Sequence, residues 1–216
     1  GAGISTYNPD RKIILRTYKR AGSVDEVFGG ADEGLFHGLM KDYSGDRGIG
    51  HTRYGTSGSL TSRHVQPFER IHGEKFKWFS FCFNGHLTNR SELEKRIEKM
   101  GYHQMLDTDT EVMLHFLSKH VSDTKGDVKE VFSRLSEDFD GAYNIAFTNA
   151  MGELIVARDP LGIRPLSSIT VDGSSYVASE TCALYRHGTV GVRHVEPGEM
   201  AYIRDGEIEF HRFAKQ

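Results

Sequence analysis

The chain has 216 residues, 38% of them hydrophobic, with 27 basic against 30 acidic side chains and a formal charge of −3. No run of ~18 or more consecutive apolar residues is present, so no apolar membrane-spanning helix is expected, and the near-balanced charge gives no electrostatic reason to expect nucleic acid as a partner. Residues Gly1 to Pro9 carry no apolar signal segment, and the two cysteines, Cys82 and Cys182, fit neither a metal pattern nor a disulfide framework; a reduced, cytoplasmic setting is expected.

Strands come first. Lys12 to Tyr18 is rich in β-branched and aromatic residues, Arg47 to Tyr54 reads as extended backbone with alternating glycines, and Trp78 to Phe83 is a short apolar run suited to a buried strand. Helices follow. Asn89 and Glu92 resemble a capping box, with Leu93, Ile97 and Met100 on one face and Gly101 as the stop. Thr108 and Glu111 predict a second capping box opening a helix to about Val121, and Val128, Val131, Phe132 and Leu135 recur at the spacing of a third helix. From Gly141 onward turns recur, with Asp172-Gly173 and Asp205-Gly206 placed as hairpin turns between apolar runs. The pattern predicts a single α+β domain over residues 1–216, built from antiparallel sheets with helices packed on them.

Four segments could carry chemistry. Asn84-Gly85 has a bland reading as a hairpin turn, but the helix signals that follow disfavour a returning strand. A strand tip bearing a side-chain amide and a bare backbone N–H offers the two donors of an oxyanion hole. Arg53 opens a loop of glycines and hydroxyls through Gly58, suited to gripping a small carboxylate, or else is a solvated surface arginine. Asp109 lies at a helix start, where acids are ordinary capping chemistry; the alternative is a ligand for an ammonium group. Arg158 and Asp159, in a stretch stiffened by Pro160, Gly162 and Pro165, read as structural and as pairing with each other. None of the 11 histidines forms a metal motif, so no metal is expected, and no phosphate-cradling glycine loop is present.

Taken in order, Gly48 to Gly58 (GIGHTRYGTSG), Gln66-Pro67-Phe68, Phe83 to Asn89 (FNGHLTN), Thr108 to Glu111 (TDTE), Gly141 to Tyr143, Arg158 to Leu166 (RDPLGIRPL), Val177 to Leu184 (VASETCAL) and Pro197-Gly198-Glu199 resemble the glutaminase domain of class II glutamine amidotransferases. The last three segments are most similar to its amidophosphoribosyltransferase branch. The resemblance implies an N-terminal-nucleophile hydrolase fold, a sandwich of two antiparallel sheets flanked by helices. It implies glutamine hydrolysis, with ammonia passed to phosphoribosyl pyrophosphate in purine biosynthesis. Arg53 and Thr56 would hold the glutamine α-carboxylate, Tyr54 would follow on the closing loop, Asp109 would hold the α-ammonium, and Asn84 and Gly85 would form the oxyanion hole. No cofactor is implied in this domain; the partners implied are glutamine, a phosphoribosyltransferase or other synthase domain or subunit, and further copies of the chain, with no nucleic acid or membrane.

The family attacks glutamine with an N-terminal cysteine, whereas this chain opens Gly1-Ala2-Gly3-Ile4. Either Ala2 replaces that cysteine, or these residues match a later family segment. Spacing favours the second, so the chain is expected to lack the first strand and helix of the domain, cysteine included. Cys82 and Cys182 are both expected to be small buried hydrophobes. A catalytically inactive glutamine-binding or regulatory module, and a glutaminase subunit serving another synthase, are the alternative functions.

Overall fold

A computed structural model describes residues 1–30, 32–53, 62–204 and 207–214. In chain order the elements are β1 (Ala2–Tyr7), β2 (Leu15–Arg20), α1 (Val24–Phe28), α2 (Glu33–Asp42), β3 (Arg47–Thr52), β4 (Phe68–Arg70) and β5 (Phe79–Leu87). Then come α3 (Arg90–Lys99), α4 (Asp109–Asp123), α5 (Val128–Asp138), β6 (Gly141–Asn149), β7 (Leu154–Arg158), β8 (Ser167–Val171), β9 (Ser174–Ala178), β10 (Arg193–His194), β11 (Glu199–Arg204) and β12 (Glu207–Arg212). This is the α+β class expected, but with two helices placed among the first strands. The chain divides into two compact units, one of residues Gly1–Cys82 with Phe147–Gly152, the other of Phe83–Ala146 with Glu153–Gln216.

In the first unit β1 is the centre of a three-stranded antiparallel sheet, pairing β2 with Ala2 opposite Arg20 and β3 with Ala2 opposite Thr52. Gly3 is required there by crowding: a Cβ would lie 2.4 Å from the Gln66 carbonyl oxygen and 2.6 Å from Lys19 Cβ. The helices α1 and α2 were not anticipated. α1 opens on a full capping box, Ser23 accepting from the Glu26 amide while Glu26 accepts from the Ser23 amide. Tyr18 of β2 holds it by donating to the Val27 carbonyl at 3.1 Å and packing on Phe28.

In the second unit β5 to β7, β11 and β12 lie in the order β12-β11-β7-β6-β5, and β8 sits between β9 and β10 in a small sheet. The predicted third helix is α5, with Val128, Val131, Phe132 and Leu135 all buried. Leu93 and Ile97 are the buried face of α3, and Gly101 ends it at φ +83. Gly101 N–H donates to the Glu98 carbonyl and Tyr102 N–H to that of Ile97, the paired bonds of a Schellman stop. Asp172 and Gly173 take positive φ between β8 and β9, as a type I′ turn requires. Asp205 and Gly206 lie outside the described residues, although Arg204 of β11 stands opposite Glu207 of β12 on either side of them.

Two caps differ from the sequence reading. Asn89 makes no side-chain cap to α3; its amide instead donates to the Asp138 carbonyl and accepts from the Asp140 amide, joining the end of α5 to the start of β6. At α4 the Thr108 hydroxyl does accept from the Glu111 amide, but the Glu111 carboxylate passes over Thr108 to take the amides of Met105 and Leu106. Both exchanges replace a local bond with one that orders a connection.

Phe116 of α4, Phe139 and Tyr143 of β6 form successive edge-on aromatic contacts that seat the helix on the sheet. Beside them Asp138 accepts from Arg96 and from His120, whose Nε2 is 2.6 Å away. Burial raises the Asp138 carboxyl pKa, but these two partners outweigh it and hold it below the usual value. A depressed folded pKa contributes stability above the unfolded value of about 3.9, lost as pH falls through the folded value. Asp138→Asn should therefore cost about 2 kcal/mol at pH 7. Urea unfolding should show that deficit shrinking as the pH is lowered below about 4; a deficit independent of pH would contradict the assignment.

Candidate functional site

The Asn84-Gly85 pair is neither a hairpin turn nor a strand tip. β5 continues through it to Leu87, so both residues lie within a strand beside β6. Glycine is dictated at position 85 by β6: a Cβ would fall 2.2 Å from the Ala142 carbonyl oxygen and 2.7 Å from Tyr143 Cα. The converse holds at Gly141, where a Cβ would meet the His86 carbonyl oxygen at 2.2 Å. Two glycines thus let β5 and β6 approach more closely than side chains allow. Asn84 is half-buried, its Nδ2 donating to Ser179 Oγ at 3.4 Å.

Asp109 is the first residue of α4 and reaches β5. Its Oδ2 accepts from the Leu87 amide at 3.1 Å and lies 3.2 Å from His86 Nδ1, while Oδ1 is 3.7 Å from Arg90 Nε. The side chain is 13% exposed and His86 74% exposed. A carboxylate is thereby docked on the end of the strand carrying Asn84 and Gly85. The capping chemistry weighed for Asp109 is real too: the acid stands in the first turn of α4, while Thr108 supplies the N-cap bond.

Arg53 belongs to the first unit, directly after β3. Its backbone exchanges both bonds with Gly1, amide to the Gly1 carbonyl at 2.7 Å and Gly1 nitrogen to the Arg53 carbonyl at 2.9 Å, and its Nη1 donates to the His64 carbonyl at 2.8 Å. Tyr54 and Thr56 lie outside the described residues.

The two cysteines part company. Cys82 is buried as expected, and burial pushes its thiol far above the ordinary value, so it is no nucleophile at neutral pH. Cys182 is exposed, against expectation: the short turn holding it buries Leu184 instead. A polar cleft of about 570 Å³ lies between the start of α5 and the β11–β12 hairpin, lined by Asp127, Lys129, Glu153, Tyr202, Arg204 and Glu207 among others. Among the described residues, none of the candidates lines it.

Arg158 and Asp159 are structural, as read, but they do not pair. Arg158 donates to the carbonyls of Gly162, Arg164 and Val195, each at 2.7 to 2.8 Å. Asp159, with no exposed surface, accepts from the amides of Tyr143, Leu161 and Ile163. The sequence shows two adjacent opposite charges; the chain uses one for carbonyls and the other for amides.

Residues 51–186 match the model of the glutamine amidotransferase domain family. The chain is 40% identical over 210 residues to the amidophosphoribosyltransferase of Pyrococcus horikoshii, covering 97% of this chain and 42% of that protein. It is 35% identical over 216 residues to that of Bacillus subtilis, covering 99% and 42%. Among solved structures, the B. subtilis glutamine phosphoribosylpyrophosphate amidotransferase complexed with ADP and GMP superposes over 100% of this chain and 43% of its own, with a TM-score of 0.79 at 32% identity. The chain therefore spans about two fifths of the length of these relatives.

The geometry at Gly85 predicts a local steric effect. Gly85→Ala should destabilise by about 2 kcal/mol through overpacking against β6, whereas Gly73→Ala, where a Cβ meets nothing within 4 Å, should stay within about 0.5 kcal/mol. Thermal unfolding of both variants tests this; equal effects would mean that β5 and β6 are not so close.

Proposed function

This chain belongs to the glutamine amidotransferase domain family, and from that premise we propose that it is the glutamine-hydrolysing domain of an amidophosphoribosyltransferase, releasing ammonia for transfer to phosphoribosyl pyrophosphate in purine biosynthesis. The observation that carries the reading is the Asp109 carboxylate bound to the Leu87 amide, which sets an anion at the end of the strand bearing Asn84 and Gly85.

Glutamine is a zwitterion with an amide to be cleaved, so its site needs three things: a cation, an anion and donors for developing oxyanion charge. Arg53, with Thr56 helping, is assigned the α-carboxylate, for which a planar guanidinium offers paired donors, and Tyr54 is assigned to the segment that closes over glutamine. Asp109 is assigned the α-ammonium. Asn84, through its side-chain amide, and Gly85, through its backbone N–H, are assigned the oxyanion.

In this reading a cysteine thiolate attacks the side-chain amide carbon and the carbonyl π electrons move to oxygen, where Asn84 and Gly85 stabilise them. Collapse of the tetrahedral species, once its nitrogen has taken the proton given up by the thiol, expels ammonia and leaves a glutamyl thioester. Water then cleaves the thioester to glutamate. Neither step asks for a cofactor in this domain.

The test uses the native polypeptide that contains residues 1–216. Asn84→Ala should lower kcat for glutamine hydrolysis about hundredfold and change KM by less than about threefold, because an oxyanion donor acts mainly in the transition state. An unchanged kcat would remove Asn84 from the mechanism. Saturable glutamine binding without any hydrolysis by the unsubstituted protein would favour a binding module instead.

A further inference from the structure

We propose that Asp159 is a positioning residue for Gly85, acting through the Ala142–Tyr143 peptide of β6; the proposal rests on the assignment of Asn84 and Gly85 as the oxyanion hole. β7 ends at Arg158, one residue short of completing the ladder beside Tyr143. Asp159 completes it with a mixture of main chain and side chain. Its amide donates to the Tyr143 carbonyl at 2.8 Å, and its Oδ2 accepts from the Tyr143 amide at 3.3 Å. Both main-chain polar groups of Tyr143 are therefore held by one residue.

That residue is itself fixed. Its Oδ1 accepts from Leu161 at 2.9 Å and from Ile163 at 3.4 Å, and its carbonyl accepts from Gly162 and Gly198, each at 3.0 Å. Gly162 and Gly198 both take positive φ, 62° and 71°, which the turns around Asp159 require. Arg158 braces the same turn from the outside, on carbonyls only.

On the other side of β6, the Ala142–Tyr143 peptide is the surface on which Gly85 rests, at distances that admit a hydrogen but no methyl group. There is no slack between the two. Where the peptide sits decides where the Gly85 backbone sits, and donors to an oxyanion must be held to within about 0.5 Å. A carboxylate suits this task better than an amide. Three N–H donors converge on the two oxygens of Asp159, whereas an asparagine keeps one oxygen and turns an NH₂ group on one of those donors.

The experiment compares three variants of the native polypeptide. Asp159→Asn should reduce kcat for glutamine hydrolysis ten- to hundredfold while glutamine KM stays within about threefold, and should move the Gly85 amide in ¹H–¹⁵N spectra. Asp159→Ser serves if Asp159→Asn does not fold. Its hydroxyl can keep the local bond to Leu161 but is too short for Tyr143, so it should give the same pattern. Arg158→Gln, which loosens the same turn without touching Tyr143, should lose thermal stability yet leave both kcat and the Gly85 amide in place.

The proposal is overturned if the Gly85 amide does not move in either Asp159 variant, if it moves while kcat is unchanged, or if Arg158→Gln lowers kcat equally. An Asn84→Ala variant with unchanged kcat identifies a different failure. It sinks the oxyanion assignment, and the catalytic half of this proposal with it, while the Gly85 amide still reports whether Asp159 holds β6.

Discussion

The approach of β5 to β6 is the constraint on which the second unit depends. At Gly85 and again at Gly141 the backbone of one strand occupies the space a Cβ on the other would need. Such proximity has two effects. It leaves no room for a side chain at either glycine, and it couples the position of β5 to that of β6. Packed interiors transmit displacement because they contain few voids to absorb it. The aromatic series Phe116, Phe139 and Tyr143 then extends the same rigidity from β6 to helix α4, whose first residue is Asp109.

Carboxylates recur as organisers of backbone amides rather than as partners of basic side chains alone. Glu111 holds Met105 and Leu106, Asp109 holds Leu87, and Asp159 holds Tyr143, Leu161 and Ile163. Each ties a connection to a helix start or a strand end. Charge-assisted bonds of this kind are roughly twice as strong as neutral ones, so the connections they bond are firmly held. Asp109 has the heaviest load, since the anion assigned to the substrate ammonium also meets Leu87, His86 and Arg90.

What the sequence made legible was periodic or chemically distinctive. The faces of α3 and α5 follow from Leu93, Ile97, Val131 and Leu135, and the Asp172-Gly173 turn from two residues tolerant of positive φ. Helices α1 and α2 escaped because one is a single short turn and the other buries only Leu39 among residues that include Gly34 and Gly38. Asn84 and Asp109 were legible as residue types and by resemblance. That Asn84 lies inside a strand was not, because the reason is a partner strand more than fifty residues away. Asn89 shows the same limit: its local spacing to Glu92 suggests a cap, and its bonds run 49 and 51 residues ahead.

Arg158 and Asp159 illustrate how neighbouring opposite charges can be chemically independent. Because the guanidinium is spent on acceptors and the carboxylate on donors, the two cannot trade places: reversing the order would set cation against amides and anion against carbonyls, repelling on both sides. Nor can an uncharged pair stand in for them, since the groups they satisfy are main-chain ones that persist whatever side chains surround them. The dipeptide is thus polarised in one direction only, and chemistry that conserves net charge would still not conserve its architecture.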